Sequence, residues 1–355
     1  MPSILIKNGT VWDGENFICA DILTQDKKIH KIQKNMDDNA DYVYDASGKI
    51  VSAGLVDIHT HFKGISDDNI GISASMSSIP FGVTSAADAA ASVGDKGIFN
   101  YLDVKTLVFV CADFKNNSAY FENTKRLIEI YGSRVVGVKV YFDTYMSDIH
   151  NISPLEEVVE FADKHKLIVM IHSTNSPSPM KEIVSYLRSG DILTHAYHGG
   201  VNTTQDDEFA CLFEAKKRGI IIDAGFAGHM HTDFNVFKSA VRNGAIPDVI
   251  STDITRYSAY KRGGRYGMTM CMSIAKTSGM AEEDIFRAVT SFPAKALKME
   301  NKWGYLKTGR CADISVFDYG DEGFSLCDKQ GNMLESKKGY RCLLTVSDGE
   351  IVYRN

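Results

Sequence analysis

Two closely spaced histidines begin the set of side chains that could do chemistry in this chain. His59 and His61 end the apolar segment GLVDIHTH at residues 54–61. On an extended strand, side chains at positions i and i+2 point to the same side. Both imidazoles can therefore bind one divalent ion, and we expect Asp57 or backbone carbonyls to fix their tautomers. Two histidines with this spacing are by themselves weak support for a metal site, because the spacing often arises by chance.

Three further polar residues stand at the ends of apolar segments that resemble buried strands. His172 closes LIVMIH, His195 closes DILTH, and Asp253 closes DVISTD. In a barrel of parallel strands, all the C-terminal strand ends meet at one mouth, where active sites are built. A capping aspartate or a histidine bound to backbone groups would explain each residue singly. Their shared position at strand ends predicts a metal site.

Lys139 lies inside the apolar segment VVGVKV at residues 135–140, where burying an ammonium group is costly. It could be a buried amine with a lowered pKa, or it could extend to the rim. Alternatively, its neutral amine has captured CO₂ as a carbamate, whose two oxygens can bridge two cations. We favour the bridge, because the ligand count then closes for a binuclear centre: His59, His61 and Asp253 on one ion, His172 and His195 on the other.

The elements that must position these residues are short strands alternating with helices. Several of the strand segments are nearly continuous Val, Ile and Leu, as parallel strands buried on both faces should be. The predicted strands are Val51–Ile58, Val83–Asp88, Thr106–Cys111, Val135–Tyr141, Leu167–Ile171, Asp191–Thr194, Ile220–Asp223 and Asp248–Ser251. Helical spacing predicts helices at Phe121–Tyr131, Pro154–His165, Pro179–Arg188, Asp206–Arg218 and Phe234–Asn243.

This alternation favours an α/β fold, a (β/α)₈ TIM-type barrel over residues 53–302, with a doubly wound open sheet as the competing fold. The two ends of the chain, residues 1–52 and 303–355, instead show alternating β patterns broken by Gly, Asn and Asp turns. Neither end alone has enough apolar surface for a stable core. We expect them to form one small β-sandwich domain together.

Composition excludes several classes of protein. With 44% hydrophobic and 24% charged residues, the chain is globular, and its net charge of −6 without a basic block argues against nucleic-acid binding. Seven scattered cysteines without a CxxC pair indicate reduced thiols in a cytoplasmic protein. We expect no signal peptide, since the start lacks a charged segment followed by a long apolar one. We expect no membrane span, since no apolar run approaches about 18 residues.

Six segments give the chain its resemblance to the amidohydrolase superfamily, in particular to dihydroorotase-like amidohydrolase/deacetylase metallohydrolases. They are GLVDIHTH (54–61), FGVTSAADA (81–89), VVGVKV (135–140), GDILTH (190–195), DVISTD (248–253) and WGYLKTGRCADISVFD (303–318). The resemblance covers nearly the whole length. It implies a barrel plus a β-sandwich, and two divalent ions bridged by a carboxylated lysine and a hydroxide. By position, it assigns His59, His61 and Asp253 to the first ion, His172 and His195 to the second, and Lys139 to the bridge.

The chain departs from this pattern in two places. Dihydroorotases follow the paired histidines with an arginine that holds the substrate carboxylate, whereas here the sequence is His61-Phe-Lys-Gly64, which argues against dihydroorotase proper. Members of the deacetylase branch often carry a histidine soon after strand seven. Here His229 and His231 follow only later, in a loop where we do not expect a third metal site.

The function that we predict is hydrolysis of an amide, an N-acyl or N-acetyl group, or a related ester of a small metabolite, by attack of the metal-bridging hydroxide. Asp253 would act as base and then as acid, and His198, Arg256 and Tyr257 are candidate substrate contacts. Zinc is the expected metal, with manganese, cobalt or nickel as alternatives. A cyclic amidohydrolase and a catalytically inactive assembly partner are the alternative functions. We expect a homo-oligomer.

Overall fold

The N-terminal segment folds into five strands before the barrel begins. The computed structural model describes residues 2–228, 230–261 and 263–355. The strands are β1 (Ile4–Trp12), β2 (Phe17–Gln25), β3 (Lys28–Gln33), β4 (Tyr42–Asp45) and β5 (Ile50–Ala53). β1 pairs antiparallel with β2 and parallel with β4 and β5. Alternating apolar residues such as Ile4, Ile6 and Val11 are buried in one cluster, which explains the alternation in the sequence.

A curved sheet of seven parallel strands follows. Its members are β6 (Leu55–Thr60), β7 (Val83–Ala91), β8 (Lys105–Cys111), β11 (Val135–Tyr141), β12 (Ile168–His172), β13 (Ile192–Thr194) and β14 (Ile221–Ile222), and a separate hairpin is made by β9 (Asp113–Lys115) and β10 (Ser118–Tyr120). Neighbouring strands in the sheet are also neighbours in sequence, apart from the hairpin. This order is what a barrel built from successive strand–helix units requires.

The predicted eighth strand, Asp248–Ser251, is not a continuous strand in the structure. Isolated parallel bridges instead join Asp223 to Val249 on one side and Thr60 to Ile254 on the other. The His61 N–H donates to the Ile254 carbonyl at 3.1 Å, so the segment still connects the last strand of the sheet to the first. The predicted barrel is confirmed, and its final strand is reduced to these contacts.

Helices pack around the barrel, and five of them lie within a few residues of the helices that the sequence predicts. They are α1 (Ala74–Ser78), α2 (Glu122–Tyr131), α3 (Ser153–Lys164), α4 (Met180–Tyr186), α5 (Ala210–Lys217), α6 (Phe234–Arg242), α7 (Arg256–Lys261), α8 (Met268–Thr277), α9 (Glu282–Val289) and α10 (Ser291–Ala296). Their apolar faces are buried, as Leu155, Val158 and Ala162 of α3 illustrate. None of the helices in the described part of the chain is long and apolar enough to cross a membrane.

Both chain ends contribute to one eight-stranded sheet. The C-terminal strands are β15 (Ile314–Gly320), β16 (Phe324–Cys327), β17 (Met333–Ser336), β18 (Gly339–Ser347) and β19 (Glu350–Arg354). The sheet has the order β19-β18-β15-β5-β1-β2-β3, with β4 also paired to β1. The predicted strand Val51–Ile58 is therefore wrong as one element, since Gly54 separates β5 of this sheet from β6 of the barrel.

The β16–β17 hairpin lies apart from that sheet and packs on the barrel. Its Phe324, Leu326 and Leu334 are buried in the same apolar cluster as the barrel helices. Asp328, in its turn, accepts the N–H of Phe234, the first residue of α6, at 2.8 Å. The C-terminal segment thus contributes to both the β sheet and the wall of the barrel.

Candidate metal centre

The first ligand group joins the beginning and the end of the barrel. His59 and His61 are carried by β6 and the residue after it, and Asp253 by the segment that closes the barrel. Asp253 Oδ1 lies 2.8 Å from His61 Nε2 and 3.3 Å from His59 Nε2. All three side chains are buried, and their ligand atoms lie within 4.8 Å of one another. The structure therefore brings together the three residues expected to hold the first ion.

The second group contains three histidines. His172 ends β12, His195 follows β13, and His231 lies in the loop before α6, with ligand atoms again within 4.8 Å of one another. The ring centroid of His231 lies 4.8 Å from that of His172 and 4.4 Å from that of His195. The sequence interpretation left His231 out of the site, although its spacing from His229 was visible. His229 lies outside the described residues.

Lys139 lies beside the first group, and Asp253 of that group also faces the second. The Lys139 side chain is fully buried, and its Nζ lies 2.9 Å from His59 Nε2. Asp253 Oδ2 lies 3.8 Å from Nε2 of both His195 and His231. In the part of the chain that the structure describes, no carboxylate forms an ion pair with Lys139. Burial lowers the pKa of Lys139 to about 8, which increases the fraction of neutral amine.

Two of the ligands occupy an uncommon backbone conformation. His195 and Asp253 have φ angles of 57° and 47°, in the left-handed region. A non-glycine residue there costs about 1–3 kcal/mol and persists only where the surrounding structure imposes it. Both residues follow a strand-like segment directly, so the turn directs their side chains to the barrel mouth. Strain at these positions is typical of a functional site.

Burial favours the neutral form of three histidines of the centre, His59, His172 and His195. Burial lowers the pKa of His59 and of His172 to about 4, and nearby Lys139 contributes to lowering both. Burial also keeps the pKa of His195 well below its usual value. For Asp253, burial raises the pKa, but the His59 and His61 rings outweigh it and hold the carboxyl well below its usual range. Neutral imidazoles and an ionised carboxylate are the forms that bind a metal ion.

In four histidines of the centre, the ring nitrogen that points away from the centre, called here the outer nitrogen, has a hydrogen-bonding partner. His59 Nδ1 lies 3.1 Å from Thr194 Oγ1, His61 Nδ1 lies 3.2 Å from Ser66 Oγ, and His172 Nε2 lies 2.9 Å from Thr174 Oγ1. For His195, Nδ1 lies 2.6 Å from the carbonyl oxygen of Gly225. The expectation that Asp57 fixes the tautomers of His59 and His61 is wrong, because this carboxylate accepts from Thr252 and from the His59 N–H instead.

The inner nitrogens are thereby left to face the centre. His195 Nε2 is buried and has no hydrogen-bond partner among the described residues. Since His195 Nδ1 donates to a carbonyl, its Nε2 carries a lone pair with nothing to accept. Such an atom is costly to bury without a partner, and a cation would satisfy it. The residues at this site fit bound divalent metal.

Gly225 is required by the close approach of the chain to His195. Its φ is 52°, and a Cβ there would lie 2.7 Å from His195 Nδ1 and would also clash with Thr194 Oγ1. Gly225→Ala is therefore expected to displace His195, to weaken metal binding, and to destabilise the fold by about 1–3 kcal/mol from overpacking alone. Urea unfolding and metal analysis would measure both effects.

Gly244→Ala provides the matched control for this substitution. Gly244 also has a left-handed φ, of 77°, but nothing lies within 4 Å of the position that a Cβ would take. It should cost only about 1–2 kcal/mol of backbone strain and leave metal binding unchanged. Equal effects of the two substitutions on stability and on metal content would contradict the packing role of Gly225.

The three predicted substrate contacts lie at different depths. His198 is 1% exposed, its Nδ1 accepts the Gly200 N–H at 3.1 Å, and burial lowers its pKa to about 4. Arg256 begins α7 and lines a cavity of about 460 Å³ that also touches Lys63. Tyr257 is 49% exposed, and Lys261 Nζ lies 4.4 Å from its ring centroid. Their contact with substrate stays a prediction.

Comparison with known proteins identifies sequences related to this chain. The profile of the amidohydrolase family matches residues 50–352. A protein of Enterococcus faecalis named deacetylase is 27% identical over an alignment of 379 residues, which covers 98% of this chain and 98% of that protein. The two sequences therefore align over the barrel and over both ends of the chain.

Solved structures share the fold over the same length. The crystal structure of a dihydroorotase has a TM-score of 0.86 and 24% identity, covering 100% of both chains. That of an adenine deaminase has a TM-score of 0.85 and 24% identity, covering 99% of each. At these identities the likeness shows the architecture of barrel and β domain.

Proposed function

Because this chain belongs to the amidohydrolase family, we propose that it is a binuclear metal-dependent hydrolase. Its substrate would be a small metabolite with an amide bond, an N-acyl group in particular, or a related ester bond. The observation that carries this proposal is the convergence of two groups of metal-binding side-chain types, with Lys139 beside the first group and Asp253 facing both. A hydrolase that acts on a carbonyl carbon requires an activated water and a polarised carbonyl, and such a centre suits both.

The ligand geometry supports one assignment of residues to ions. His59, His61 and Asp253 would hold the first ion, and His172 and His195 the second, with His231 beside it. The Lys139 amine would add to CO₂, forming a nitrogen–carbon bond and releasing one proton to solvent. The resulting carbamate has two oxygens, one for each ion. Zinc suits these nitrogen and oxygen ligands, and manganese, cobalt and nickel are alternatives.

A pair of divalent ions, when bound, supplies Lewis-acid polarisation of the substrate carbonyl and lowers the pKa of water. The chain's own part in the reaction is proton transfer by Asp253, whose low pKa keeps the carboxylate ionised, the form that can accept a proton. Its oxygens face both ligand groups, so it is placed to take a proton from the attacking water and to pass it to the leaving nitrogen. An amine leaving group needs that proton, which favours amide cleavage.

Two observations favour acyl amides over cyclic amides as substrates. The deacetylase of Enterococcus faecalis aligns over nearly the whole chain. The residues after His61 are Phe62, Lys63 and Gly64, without the arginine expected of a dihydroorotase. A cyclic amidohydrolase remains the alternative function. The complete ligand set argues against a catalytically inactive assembly partner.

A panel of four substrate classes separates these functions. We expect the zinc-loaded enzyme to hydrolyse N-acetyl amino acids or acetylated hydroxy acids with a kcat/KM at least about 10²-fold above that for cyclic ureides or dipeptides. The relative that aligns over nearly the whole chain is named a deacetylase, and the arginine that would hold the carboxylate of a dihydroorotase substrate is absent. Release of amine or acetate would be followed at steady state. Preferential ring opening of cyclic ureides would instead establish the alternative function.

We also propose that the enzyme works in the cytoplasm and forms a homo-oligomer. The seven cysteines are scattered along the sequence without a CxxC pair, in keeping with a reducing compartment. Light scattering coupled to size-exclusion chromatography would measure the mass of the assembly. A mass equal to one chain at all concentrations would refute the oligomer.

A further inference from the structure

Three of the ligand histidines share an arrangement that goes beyond the metal ligands themselves. Behind each ring, the contacting hydroxyl also reaches a buried carboxylate. Thr194 Oγ1 donates to Asp223 Oδ2 at 2.7 Å, and Thr174 Oγ1 donates to Asp143 Oδ2 at 2.7 Å. Ser66 Oγ donates to Asp88, with oxygens at 2.9 and 3.1 Å. A chain of contacts from an aspartate through a hydroxyl to an imidazole therefore lies behind each of the three rings, those of His59, His172 and His61.

The carboxylates are built into the protein as acceptors. Asp143 also accepts the N–H of Tyr145 and the side-chain amide of Asn175, each at 2.8 Å. Asp223 also accepts from the Ser251 hydroxyl at 2.7 Å. Both aspartates are buried, with exposed fractions of 2% and 0%. These hydrogen bonds hold each of the two carboxylates in one orientation.

This arrangement determines which ring nitrogen carries hydrogen. A hydroxyl has one hydrogen, and here the aspartate takes it, so the hydroxyl oxygen can only accept from the imidazole. The outer nitrogens, Nδ1 of His59 and Nε2 of His172, must then carry hydrogen. The inner nitrogens of the two rings are left with lone pairs directed at the centre. His61 differs from these two rings, because its Nδ1 lies 3.2 Å from Ser66 Oγ while its Nε2 lies 2.8 Å from Asp253 Oδ1.

We propose that the hydroxyl–aspartate pairs are positioning residues that select the metal-binding tautomer of His59 and of His172, and that they act on the two ions separately. Thr194 with Asp223 serves the ion of His59, and Thr174 with Asp143 serves the ion of His172. The inference rests on the proposed function, since it takes the centre to hold metal. Partners of this kind typically change metal affinity by about 10- to 100-fold when they are removed.

Thr174→Val and Thr194→Val remove each hydroxyl while keeping the shape of the side chain. The protein would be reconstituted with zinc and bicarbonate and dialysed against a graded series of chelator concentrations, and zinc per chain would be measured by mass spectrometry. We expect each variant to lose one ion at a chelator concentration about 10- to 100-fold lower than the wild type does. Thr174→Ser and Thr194→Ser keep a hydroxyl and should retain both ions.

Thr106→Val is the control for loss of a buried hydroxyl far from the centre. Thr106 lies near the start of β8, and its hydroxyl donates to the Val104 carbonyl at 2.8 Å. The Thr106→Val variant should hold zinc as the wild type does. Circular dichroism would check folding, and Thr174→Ala or Thr194→Ala would replace a valine variant that fails to fold.

Nitrogen-15 NMR of the histidine rings in the metal-free protein gives a second measurement, which does not depend on zinc. We expect His172 of the wild type to carry hydrogen on Nε2 alone, and Thr174→Val to show both tautomers. Unchanged zinc retention together with unchanged tautomers in both valine variants would overturn the inference. A wild type that binds no zinc, yet shows the single tautomers, would overturn the proposed function and leave the positioning role standing.

Discussion

Asp253→Asn is expected to lower kcat/KM by about 10³- to 10⁴-fold while metal stays bound. The amide oxygen of asparagine can still face His59 and His61 as a ligand, but the amide cannot accept a proton from the attacking water. The carboxylate of Asp253 is in the ionised form that this step requires, because the two rings hold its pKa well below its usual range. Steady-state kinetics on the acyl substrate, with zinc analysis of the same samples, would measure the effect.

Asp248→Asn is the matched control for that experiment. Asp248 lies in the same barrel-closing segment, but it pairs with Lys216 at 2.9 Å and accepts the Ile222 N–H, away from the ligand groups. Its substitution should leave kcat/KM within about 2-fold and affect only stability. A zinc-loaded Asp253→Asn variant with wild-type turnover would refute the role of Asp253 in proton transfer.

Lys139→Met should remove one of the two ions and lower kcat/KM by at least about 10³-fold, because Lewis-acid stabilisation is worth several kcal/mol. Methionine has nearly the length of lysine and fills the same buried space, but it cannot form a carbamate. The effect follows from the position of Nζ, 2.9 Å from His59 Nε2 and fully buried.

Native mass spectrometry and zinc analysis would measure the effect of Lys139→Met on the carbamate and on the bound ions. The wild type should carry the added mass of one CO₂, and Lys139→Met should not. Lys164→Met, on the exposed side of α3, is the control and should keep both ions. Two ions and full turnover in Lys139→Met would exclude the bridging role.

The parts of the centre that the sequence predicts are those carried by regular strands. His59, His172 and Lys139 lie on strands whose apolar composition is unmistakable, and parallel strands in a barrel direct their ends to one mouth. Their convergence could therefore be expected before any coordinates. The segment before Asp253, which closes the barrel, is harder to predict, because it makes only isolated bridges instead of a continuous strand.

The parts that the sequence does not predict are carried by loops. His231 reaches the second ligand group from a loop of irregular backbone, and no periodicity reports where such a loop places its side chains. Ser66 and Thr174 likewise follow strand ends, and common residue types such as these carry no signal of their own. The expectation for Asp57 failed because the neighbouring Thr252 hydroxyl competes for its carboxylate.

Anomalous X-ray diffraction from crystals grown with zinc and bicarbonate tests the binuclear centre most directly. We predict two zinc peaks in each chain, one contacted by His59, His61 and Asp253, and the other by His172 and His195. Density for a carboxyl group on Lys139 Nζ should connect them. A single peak, or a free Lys139 amine beside empty ligand groups, would contradict the account.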